Sequence, residues 1–542
     1  MRILERALLR LAETDRPLIE VLDGDAGVAR TLTYRETTRA AQALADRLAG
    51  SAAGAAAVPD RPPRVGVVCG NTPEFVIADL ALLAARLVEI PVPIAFSAEQ
   101  AAGLLAEADV CLLDDEGAAR LAQWGRDAVL RPGCAVVRLS AAELAAAAGR
   151  PLALPAGDAA DPDWECKIIH TSGTTSRPKG VRIRAHGLAA LLESLGAVMP
   201  DGAFARYVSV VPFSLLIEQV TGLYMVVLHG GTLVQPPAGA RLVGTAAGAA
   251  SDMLPYLAAA RPTALVATPA LVDEFAAAAE AARAAGRSVP AALFGTPDAP
   301  LICCGGAPVH PDVLHRLERA GLPVHEGYGL SENSSVVSWN TPGARRIGTV
   351  GRPLPHVTVT TAPDGELLVE STSLFAGYTR DDPSSLAVDA AGRLRTGDLA
   401  EIDADGFIRI TGRKKNVIIT AAGRNVAPEW VEAQYARLPF VRAAAVVGDG
   451  MAELRGLFLV REGTDPAAAR RAIVAFGEEH LSQVERVADP LVLAADEAVY
   501  RTYFTVTGRP MRAAVRTAVA GGTAPHLEGD ADDEGDPDGS GA

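Results

Sequence analysis

TSGTTSRPKG, residues 171 to 180, is the most informative stretch of this 542-residue chain. The lack of a side chain at Gly173 lets the backbone approach a ligand closely. Hydroxyl groups and backbone amides that can surround phosphate oxygens belong to Thr171, Ser172, Thr174 and Thr175. Lys179 adds a mobile positive charge near the end of the stretch. The stretch therefore predicts a phosphate-binding loop, and a polar turn without a ligand is the alternative interpretation.

Short apolar runs alternate with longer helical patterns on both sides of this loop. The runs occupy residues 65–68, 90–94, 168–169, 264–267 and 301–304. Such alternation is typical of an α/β fold, in which helices pack on a mostly parallel sheet. Residues 141–163 are dense in Ala, Gly, Pro and Asp, and we expect them to form a surface connection. Beyond Asp398, shorter runs and more frequent turns predict a smaller α+β C-terminal domain.

The distribution of charge separates the folded part of the chain from a tail. The chain has 65 acidic and 50 basic residues, which gives a formal charge of −15. Residues 521–542 contain seven acidic residues and few apolar ones, so we expect this tail to be disordered. The rest of the chain is only mildly acidic and lacks the basic surface that nucleic acids and anionic membranes attract. We therefore expect neither of these partners.

The cysteines and the N-terminus indicate the compartment. The six cysteines are scattered without a CxxC pair, and Cys303 and Cys304 lie in an apolar, strand-like run. Charged residues interrupt the first 17 residues, unlike the apolar core of a signal peptide, and no apolar stretch is long enough to span a bilayer. We expect a reduced, cytoplasmic chain in which these two cysteines pack in a strand and are not nucleophiles.

Five further motifs follow the loop. They are GGAP at 305–308, EGYGLSE at 326–332, GYTRDD at 377–382, RTGD at 395–398 and GRKKNVIITAAGRNVAPEWVE at 412–432. Their order and spacing resemble the adenylate-forming (ANL) superfamily of acyl-CoA synthetases, adenylation domains and luciferases, from about Thr31 to about Arg512. The spacing from Arg413 to Pro428 is similar to that of the long-chain acyl-CoA synthetase branch. In that family an acid and ATP form an acyl-adenylate plus pyrophosphate, and a thiol then displaces AMP.

The resemblance also implies a domain organisation. The N-terminal domain, residues 1–412, would consist of two α/β subdomains plus a small distorted β-barrel. The C-terminal domain, residues 413–520, would be a small mobile α+β domain, followed by the tail at 521–542. Lys415 matches the hinge about which such a domain moves, because a few loop residues absorb the change in backbone dihedrals.

The resemblance implies ATP, AMP as part of the acyl-adenylate, CoA and Mg²⁺ as cofactors. Besides the loop, the residues that would bind the nucleotide are Gly305, Gly306, Ala307, Tyr328, Gly329, Ser331, Asp398 and Arg413. Glu332 matches the carboxylate that holds Mg²⁺, an ion that prefers oxygen ligands and often bridges substrate phosphates. The implied catalytic set is Glu332, Lys179, Lys415 and Arg509. Gly423 would lie beside the CoA tunnel, and Leu215 and Leu216 would line the acyl pocket.

Outside these motifs, the same residues have ordinary interpretations. Tyr328 alone is compatible with core packing, Asp398 with a turn, and Arg413 with a solvated charge. Lys415 alone would be an exposed loop lysine. The motif context therefore carries the functional interpretation.

Three departures from the family pattern fall on the ATP-consuming step. Arg509, within FTVTGRPMR at 504–512, stands at the position of the family's catalytic lysine, which bridges the acid carboxylate and the α-phosphate. Its planar guanidinium is bulkier than an ammonium and needs a different approach geometry. Leu215 stands where the family often has histidine, and Ser176 stands where it has a loop glycine.

These departures lead to two hypotheses of equal weight for an acyl-CoA ligase that acts on a bulky hydrophobic carboxylic acid. In the first, thioesterification is intact and adenylation is impaired or absent, so that a separate enzyme supplies the acyl-adenylate. In the second, Arg509 replaces the lysine adequately and both steps proceed. A stand-alone adenylation enzyme that loads a carrier protein, and a non-catalytic adenylate-binding or acyl-binding protein, are the alternatives.

Overall fold

The computed structural model describes residues 2–52, 61–146, 150–154, 163–171, 179–243, 250–380, 385–505 and 508–521. The chain divides into two compact units. The first contains the chain up to Val417 and a short segment that ends at Arg509, and the second contains the chain from Ile418 to Thr505 and from Pro510 onward. The acidic tail that we expect to be disordered lies outside the described residues, apart from Gly521.

A six-stranded sheet forms one layer of the first unit. Its strands, in spatial order, are Ala135–Arg138, Val110–Leu113, Arg64–Val68, Val88–Pro91, Glu165–Thr171 and Lys179–Arg184. The first five run parallel, and the last pairs antiparallel with its neighbour. The helices of this part of the chain are Tyr34–Ala52, Pro73–Ala84, Ala98–Leu105, Asp115–Trp124, Arg126–Val129 and Ala141–Ala146. All four residues of Val110–Leu113 are buried, as in a sheet that is covered on both faces.

A nine-stranded sheet forms the second layer of this unit. In spatial order its strands are Arg352–Pro353, Ser338–Trp339, Val324–Tyr328, Leu301–Cys304, Ala264–Ala267, Arg206–Val208, Thr232–Gln235, Pro17–Leu22 and Val28–Thr33. Its centre is parallel and both edges are antiparallel. The accompanying α-helices are Arg2–Leu11, Ala185–Val198, Leu216–Glu218, Val226–His229, Leu254–Ala260, Pro269–Ala284, Val289–Phe294 and Pro311–Arg319. A π-helix, Gln219–Met225, and two 3₁₀ turns, Ala250–Met253 and Ser331–Asn333, complete this part.

A small antiparallel sheet ends the first unit. It contains four strands in sequence order, Val357–Thr361, Glu366–Ser371, Leu394–Ile402 and Ile408–Arg413. A 3₁₀ turn, Lys414–Asn416, follows the last strand. This sheet forms a half-barrel and corresponds to the predicted small distorted β-barrel.

The second unit is a small α+β domain. Three strands form its sheet, Val441–Val447, Leu454–Val460 and Val487–Ala494, and a short hairpin pairs Ile418–Ile419 with Asn425–Val426. Its helices are Pro428–Tyr435, Pro466–His480, Glu497–Tyr503 and Arg512–Gly521. Side chains alternate along the central strand, so that Leu454 and Phe458 enter one apolar cluster while Leu457 and Leu459 enter another. Both faces of the sheet are therefore covered.

A buried group of charges joins the two large sheets of the first unit. Lys167, the third residue of the strand Glu165–Thr171, lies 2.5 Å from Asp79 and also contacts Glu89. Tyr224, on the π-helix beside the other sheet, donates hydrogen bonds of 2.8 Å to both Asp79 oxygens. All four side chains are at most 1% exposed, and such charges persist in an interior because they are paired. These contacts hold the strand that leads into the phosphate loop against the neighbouring strand, through Glu89, and against the helix Pro73–Ala84, through Asp79.

The expected surface connection at 141–163 begins with a helix, Ala141–Ala146, which the sequence did not indicate, and residues 147–149 and 155–162 lie outside the described residues. Alanine has the highest helix propensity. The helix start is also held by Glu74, whose carboxylate accepts the Ala141 N–H at 2.8 Å. Among the described residues, no helix combines the length and the apolar composition that crossing a bilayer requires.

Candidate active site

The predicted phosphate loop connects two paired strands. Glu165–Thr171 and Lys179–Arg184 run antiparallel, with Thr171 opposite Lys179 and His170 opposite Gly180. The structure therefore brings Thr171 and Lys179 together at the two ends of the loop. Residues 172–178 lie outside the described residues, so the phosphate contacts predicted for Ser172, Gly173, Thr174 and Thr175 stay predictions.

The strand that leaves the loop pairs with the GYTRDD motif. The Thr379 N–H donates to the Gly180 carbonyl at 2.9 Å, and the Arg182 N–H donates to the Gly377 carbonyl at 3.0 Å. A Cβ atom at Gly180 would lie 2.6 Å from Ile168 Cγ2 and 2.8 Å from Thr379 Cγ2. Only glycine fits between these neighbours, which explains the last residue of the loop motif.

Glu332 is a buried carboxylate held by the same motif. It lies on the 3₁₀ turn Ser331–Asn333, is 7% exposed, and its Oε1 accepts a hydrogen bond of 2.7 Å from the Tyr378 hydroxyl. Burial, reinforced by the Glu332 charge, raises the pKa of Tyr378, so this hydroxyl retains the proton that it donates. A single buried carboxylate fits Mg²⁺, which usually shares one or two carboxylates with substrate phosphates. In the described part of the chain, no three His, Cys, Asp or Glu side chains cluster as a metal site of protein ligands alone.

Asp398 is the centre of a second polar group. It is 3% exposed on the strand Leu394–Ile402, where Arg413 Nε lies 2.8 Å from its Oδ1 and the Tyr328 hydroxyl donates to its Oδ2 at 2.5 Å. Burial and the neighbouring Asp398 charge raise the pKa of Tyr328. A carboxylate has about four lone-pair sites. Each Asp398 oxygen therefore has room for one more hydrogen bond, which suits a pair of adjacent ligand hydroxyls.

The glycine motifs follow two neighbouring parallel strands. Leu301–Cys304 pairs with Val324–Tyr328, and the residues that follow their carboxyl ends are Gly305, Gly306, Ala307, Gly329 and Ser331. A Cβ atom at Gly329 would lie 1.6 Å from the Ser335 carbonyl oxygen, and Gly306 has a φ of +87° that favours glycine. Ligands of open α/β sheets bind outside the carboxyl ends of the strands. The predicted adenine-binding residues therefore lie at the expected edge.

Four positive charges act on one another in the first unit. The pKa of Lys415 is lowered by its partial burial and by the charges of Arg413, Lys179 and Arg509. The side chain of Arg509 reaches solvent, but the surrounding protein partly desolvates its guanidinium. This desolvation and the charge of Arg413 lower the pKa of Arg509, whereas the charges of Asp398 and Glu332 raise it. The concentration of cations suits a polyanionic ligand.

The predicted acyl-pocket residues lie in the main apolar core. Leu216 is buried and Leu215 is partly buried, where the chain enters the π-helix Gln219–Met225. Sequence reasoning missed Glu218 in this apolar run. The Tyr207 hydroxyl donates to Glu218 Oε2 at 2.8 Å, and burial raises the pKa of Glu218 to about 8. Cys303 and Cys304 are buried strand residues, and burial raises the pKa of both thiols.

A family model described as AMP-binding enzyme matches residues 12–379. The chain belongs to this family of AMP-binding enzymes. Long-chain-fatty-acid–CoA ligase FadD15 of Mycobacterium tuberculosis is 30% identical to it over 464 residues, which cover 75% of this chain and 73% of that ligase. The putative fatty-acid–CoA ligase fadD11 of the same species is 31% identical over 377 residues, which cover 62% and 64% of the two chains. The predicted resemblance to adenylate-forming enzymes of the acyl-CoA synthetase type is confirmed.

Solved structures share the fold of this AMP-binding enzyme. The anthranilate CoA ligase AuaEII in complex with anthranoyl-AMP matches with a TM-score of 0.76 at 20% identity, over 96% of this chain and 98% of that one. The o-succinylbenzoate CoA synthetase MenE of Bacillus subtilis, in complex with ATP and magnesium, matches with a TM-score of 0.71 at 19% identity, over 94% and 99%. The predicted α/β fold with a large N-terminal and a small C-terminal domain is confirmed.

The structure of this AMP-binding enzyme brings most of the predicted site residues together. Arg509 interacts electrostatically with Glu332, Tyr328, Asp398 and Arg413. Gly423 belongs to the second unit, where it forms the left-handed tip of the short hairpin with a φ of +71°, and its N–H donates to the Thr420 carbonyl at 2.8 Å. The catalytic and binding roles of these residues stay predictions.

Proposed function

We propose that this AMP-binding enzyme is an acyl-CoA ligase that converts an acyl-adenylate and CoA into acyl-CoA and AMP, and that its own adenylation step is impaired. The second part of this proposal rests on Arg509, which stands at the position of the family's lysine and interacts electrostatically with Glu332, Asp398 and Arg413. Its curated relatives are named as fatty-acid–CoA ligases, which supports a long, hydrophobic carboxylic acid as the acyl donor. A separate adenylating enzyme would then supply the acyl-adenylate.

The nucleotide half of the site is built for AMP. Asp398 would accept hydrogen bonds from the two ribose hydroxyls while Tyr328 and Arg413 hold its carboxylate in place. Glu332 would hold Mg²⁺, and Lys179 and the loop would contact the phosphates. When bound, Mg²⁺ supplies positive charge that offsets the charge of the phosphate oxygens.

Adenylation requires a cation between the acid carboxylate and the α-phosphate, and this chain offers the Arg509 guanidinium there. The planar guanidinium of arginine spreads its charge over several N–H donors, whereas the site of the family accommodates the compact ammonium of a lysine. A displacement of about 1 Å in a reacting geometry costs roughly 100-fold in rate. Leu215, an apolar side chain, removes a second polar group from the vicinity of the carboxylate. These features support a slow or absent ATP-consuming step.

Thioesterification makes no such demand on Arg509. The CoA sulfur attacks the acyl carbon, the bond between that carbon and the phosphate oxygen breaks, and AMP leaves with the bonding electron pair while the thiol proton passes to solvent. Asp398, Tyr328 and Arg413 hold the leaving AMP in both half-reactions. Gly423, in a left-handed turn, would lie beside the pantetheine arm of CoA, as the family pattern implies.

One experiment separates the candidate functions. The purified chain is given either a fatty acid with ATP, Mg²⁺ and CoA, or the pre-made acyl-adenylate with CoA, and acyl-CoA is measured by mass spectrometry. We expect fast product formation from the adenylate and slow or no formation from the acid. Comparable rates from both would contradict impaired adenylation. Product only when a carrier protein's phosphopantetheine replaces CoA would favour the stand-alone adenylation enzyme, and no product in any arm would favour the non-catalytic protein.

A further inference from the structure

Tyr378 contacts both the strand Lys179–Arg184, which leaves the phosphate loop, and the Glu332 carboxylate. It pairs across a short antiparallel bridge with Val181, on the strand that leaves the loop. The hydrogen bonds on either side of this bridge join Thr379 to Gly180 and Gly377 to Arg182. These hydrogen bonds hold the backbone of Tyr378 against that strand.

The side chain of Tyr378 connects this pairing to Glu332. Its hydroxyl donates to Glu332 Oε1 at 2.7 Å and accepts the Leu386 N–H at 3.2 Å. Its ring packs edge-on against Phe375 at 4.9 Å, and the Phe375 N–H donates to the Glu332 carbonyl oxygen at 2.9 Å. One segment thus holds both the side chain and the backbone of Glu332.

We infer that Tyr378 is a positioning residue that orients the Glu332 carboxylate toward a divalent cation and sets its place relative to the strand Lys179–Arg184. This inference rests on the proposed role of Glu332 in holding Mg²⁺. With Oε1 held by the tyrosine, rotation of the carboxylate is restricted, so that Oε2 and the second lone pair of Oε1 keep a fixed direction toward a cation. Partners of this kind behind a metal ligand typically change metal affinity by about 10- to 100-fold when they are removed.

Tyr378→Phe tests the inference because it removes the hydroxyl and keeps the ring that packs on Phe375. The probe is Mn²⁺ together with a non-hydrolysable ATP analogue, and free Mn²⁺ is measured by electron paramagnetic resonance. We expect the variant to bind Mn²⁺ about 10-fold more weakly, or worse. Its affinity for AMP without metal, measured by calorimetry, is expected to stay within about twofold of the parent, because the deleted hydroxyl bonds with Glu332 and Leu386.

Two further variants show whether the effect passes through Glu332. Tyr34→Phe is the matched control, since the Tyr34 hydroxyl is also buried in the first unit and donates to the Gly231 carbonyl at 2.8 Å. It is expected to leave Mn²⁺ affinity unchanged. In a Glu332→Gln background, Tyr378→Phe is expected to cause no further loss, because the oriented carboxylate is already gone.

The outcomes distinguish this inference from the proposed function. Unchanged Mn²⁺ affinity in Tyr378→Phe, with normal AMP binding, would overturn the positioning role and leave the ligase proposal intact. A loss that persists in full in the Glu332→Gln background would also overturn it, because the hydroxyl would then act elsewhere. If the parent binds neither AMP nor the analogue with Mn²⁺, the proposed function fails and the inference fails with it.

Discussion

Asp398 and Arg413 lie directly opposite each other on neighbouring antiparallel strands, and Arg413 Nε is 2.8 Å from Asp398 Oδ1. The register shifts by one residue just beyond this pair, between Leu399 and Ala400, so a bulge separates it from the regular ladder. Bulges re-aim side chains next to functional sites. Arg413 and Tyr328 hold the Asp398 carboxylate in place, and this carboxylate can accept two more hydrogen bonds.

Asp398→Asn is expected to weaken AMP binding, because the amide has one fewer acceptor and its NH₂ group opposes the Arg413 and Tyr328 donors. Hydrogen bonds to a charged group contribute about 1.5–3 kcal/mol, which corresponds to about 10- to 100-fold in affinity. Calorimetric titration with AMP measures the loss. Glu401→Gln, an exposed substitution on the same strand, is the control and is expected to bind AMP like the parent. Equal affinities in both variants would show that Asp398 does not contact the nucleotide.

Arg509→Lys is expected to raise the rate of the ATP-consuming half-reaction by about 100-fold. The reason is that a compact ammonium would again lie between the acid carboxylate and the α-phosphate. The exchange of labelled pyrophosphate into ATP, in the presence of the acid, measures this step alone. The rate from pre-made acyl-adenylate and CoA is expected to stay within about twofold of the parent. Arg516→Lys, at an exposed position on the last helix, is the control. If Arg509→Lys leaves pyrophosphate exchange unchanged, Arg509 is not what limits adenylation.

The sequence was sufficient for the layers of the fold. Four of the five apolar runs that we identified lie within parallel strands, including Arg64–Val68 and Leu301–Cys304, because buried strands leave continuous apolar runs. The fifth, 90–94, overlaps the strand Val88–Pro91 only at its first two residues. The edge strand Val28–Thr33 and the strand Ser338–Trp339, next to the opposite edge, lack such runs and escaped prediction. The helix Ala141–Ala146 escaped it because composition suggested a loop where a contact from Glu74 stabilises a helix.

The site was predictable where motifs carry it and not where distant residues meet. Motifs point to Asp398 and Glu332, whose roles stay predictions. Tyr378 lies within the quoted GYTRDD motif, but its contact with Glu332 spans 46 residues and no local pattern indicates it. Lys167 contacts Asp79 across 88 residues, and each charge alone would be assigned to the surface. Such pairings depend on tertiary register.

Gly180→Ala is expected to destabilise the first unit and to weaken binding of the ATP analogue, because its Cβ would overlap Ile168 and Thr379. Overpacking of this kind costs about 1–3 kcal/mol. Thermal unfolding and analogue titration measure the two effects. Gly196→Ala is the control: this exposed glycine on the helix Ala185–Val198 has no neighbour within 4 Å of the added Cβ, so a small gain of about 0.4–1 kcal/mol is expected. A Gly180→Ala variant as stable as the parent would mean that the two strands separate easily.

Glu218→Gln is expected to reduce the loss of stability that the protein suffers as pH rises. Burial raises the pKa of Glu218 from 4.5 to about 8, so between these pH values the folded state binds a proton that the unfolded state has released. The contribution of Glu218 to the free energy of unfolding is fully present below pH 4.5. It falls by about 1.4 kcal/mol per pH unit between pH 4.5 and pH 8. Glutamine has no such proton to lose.

The difference between parent and variant isolates this group, because other buried carboxyls, such as Glu326 with a pKa raised to about 7, contribute equally to both proteins. Unfolding midpoints measured from pH 5 to pH 8.5 are expected to fall more steeply for the parent than for Glu218→Gln. Glu193→Gln, an exposed position on the helix Ala185–Val198, is expected to follow the parent at every pH. Parallel curves for the parent and Glu218→Gln would mean that Glu218 is ionised in the folded protein, and its hydrogen bond with Tyr207 would then join a charged acceptor to a neutral donor.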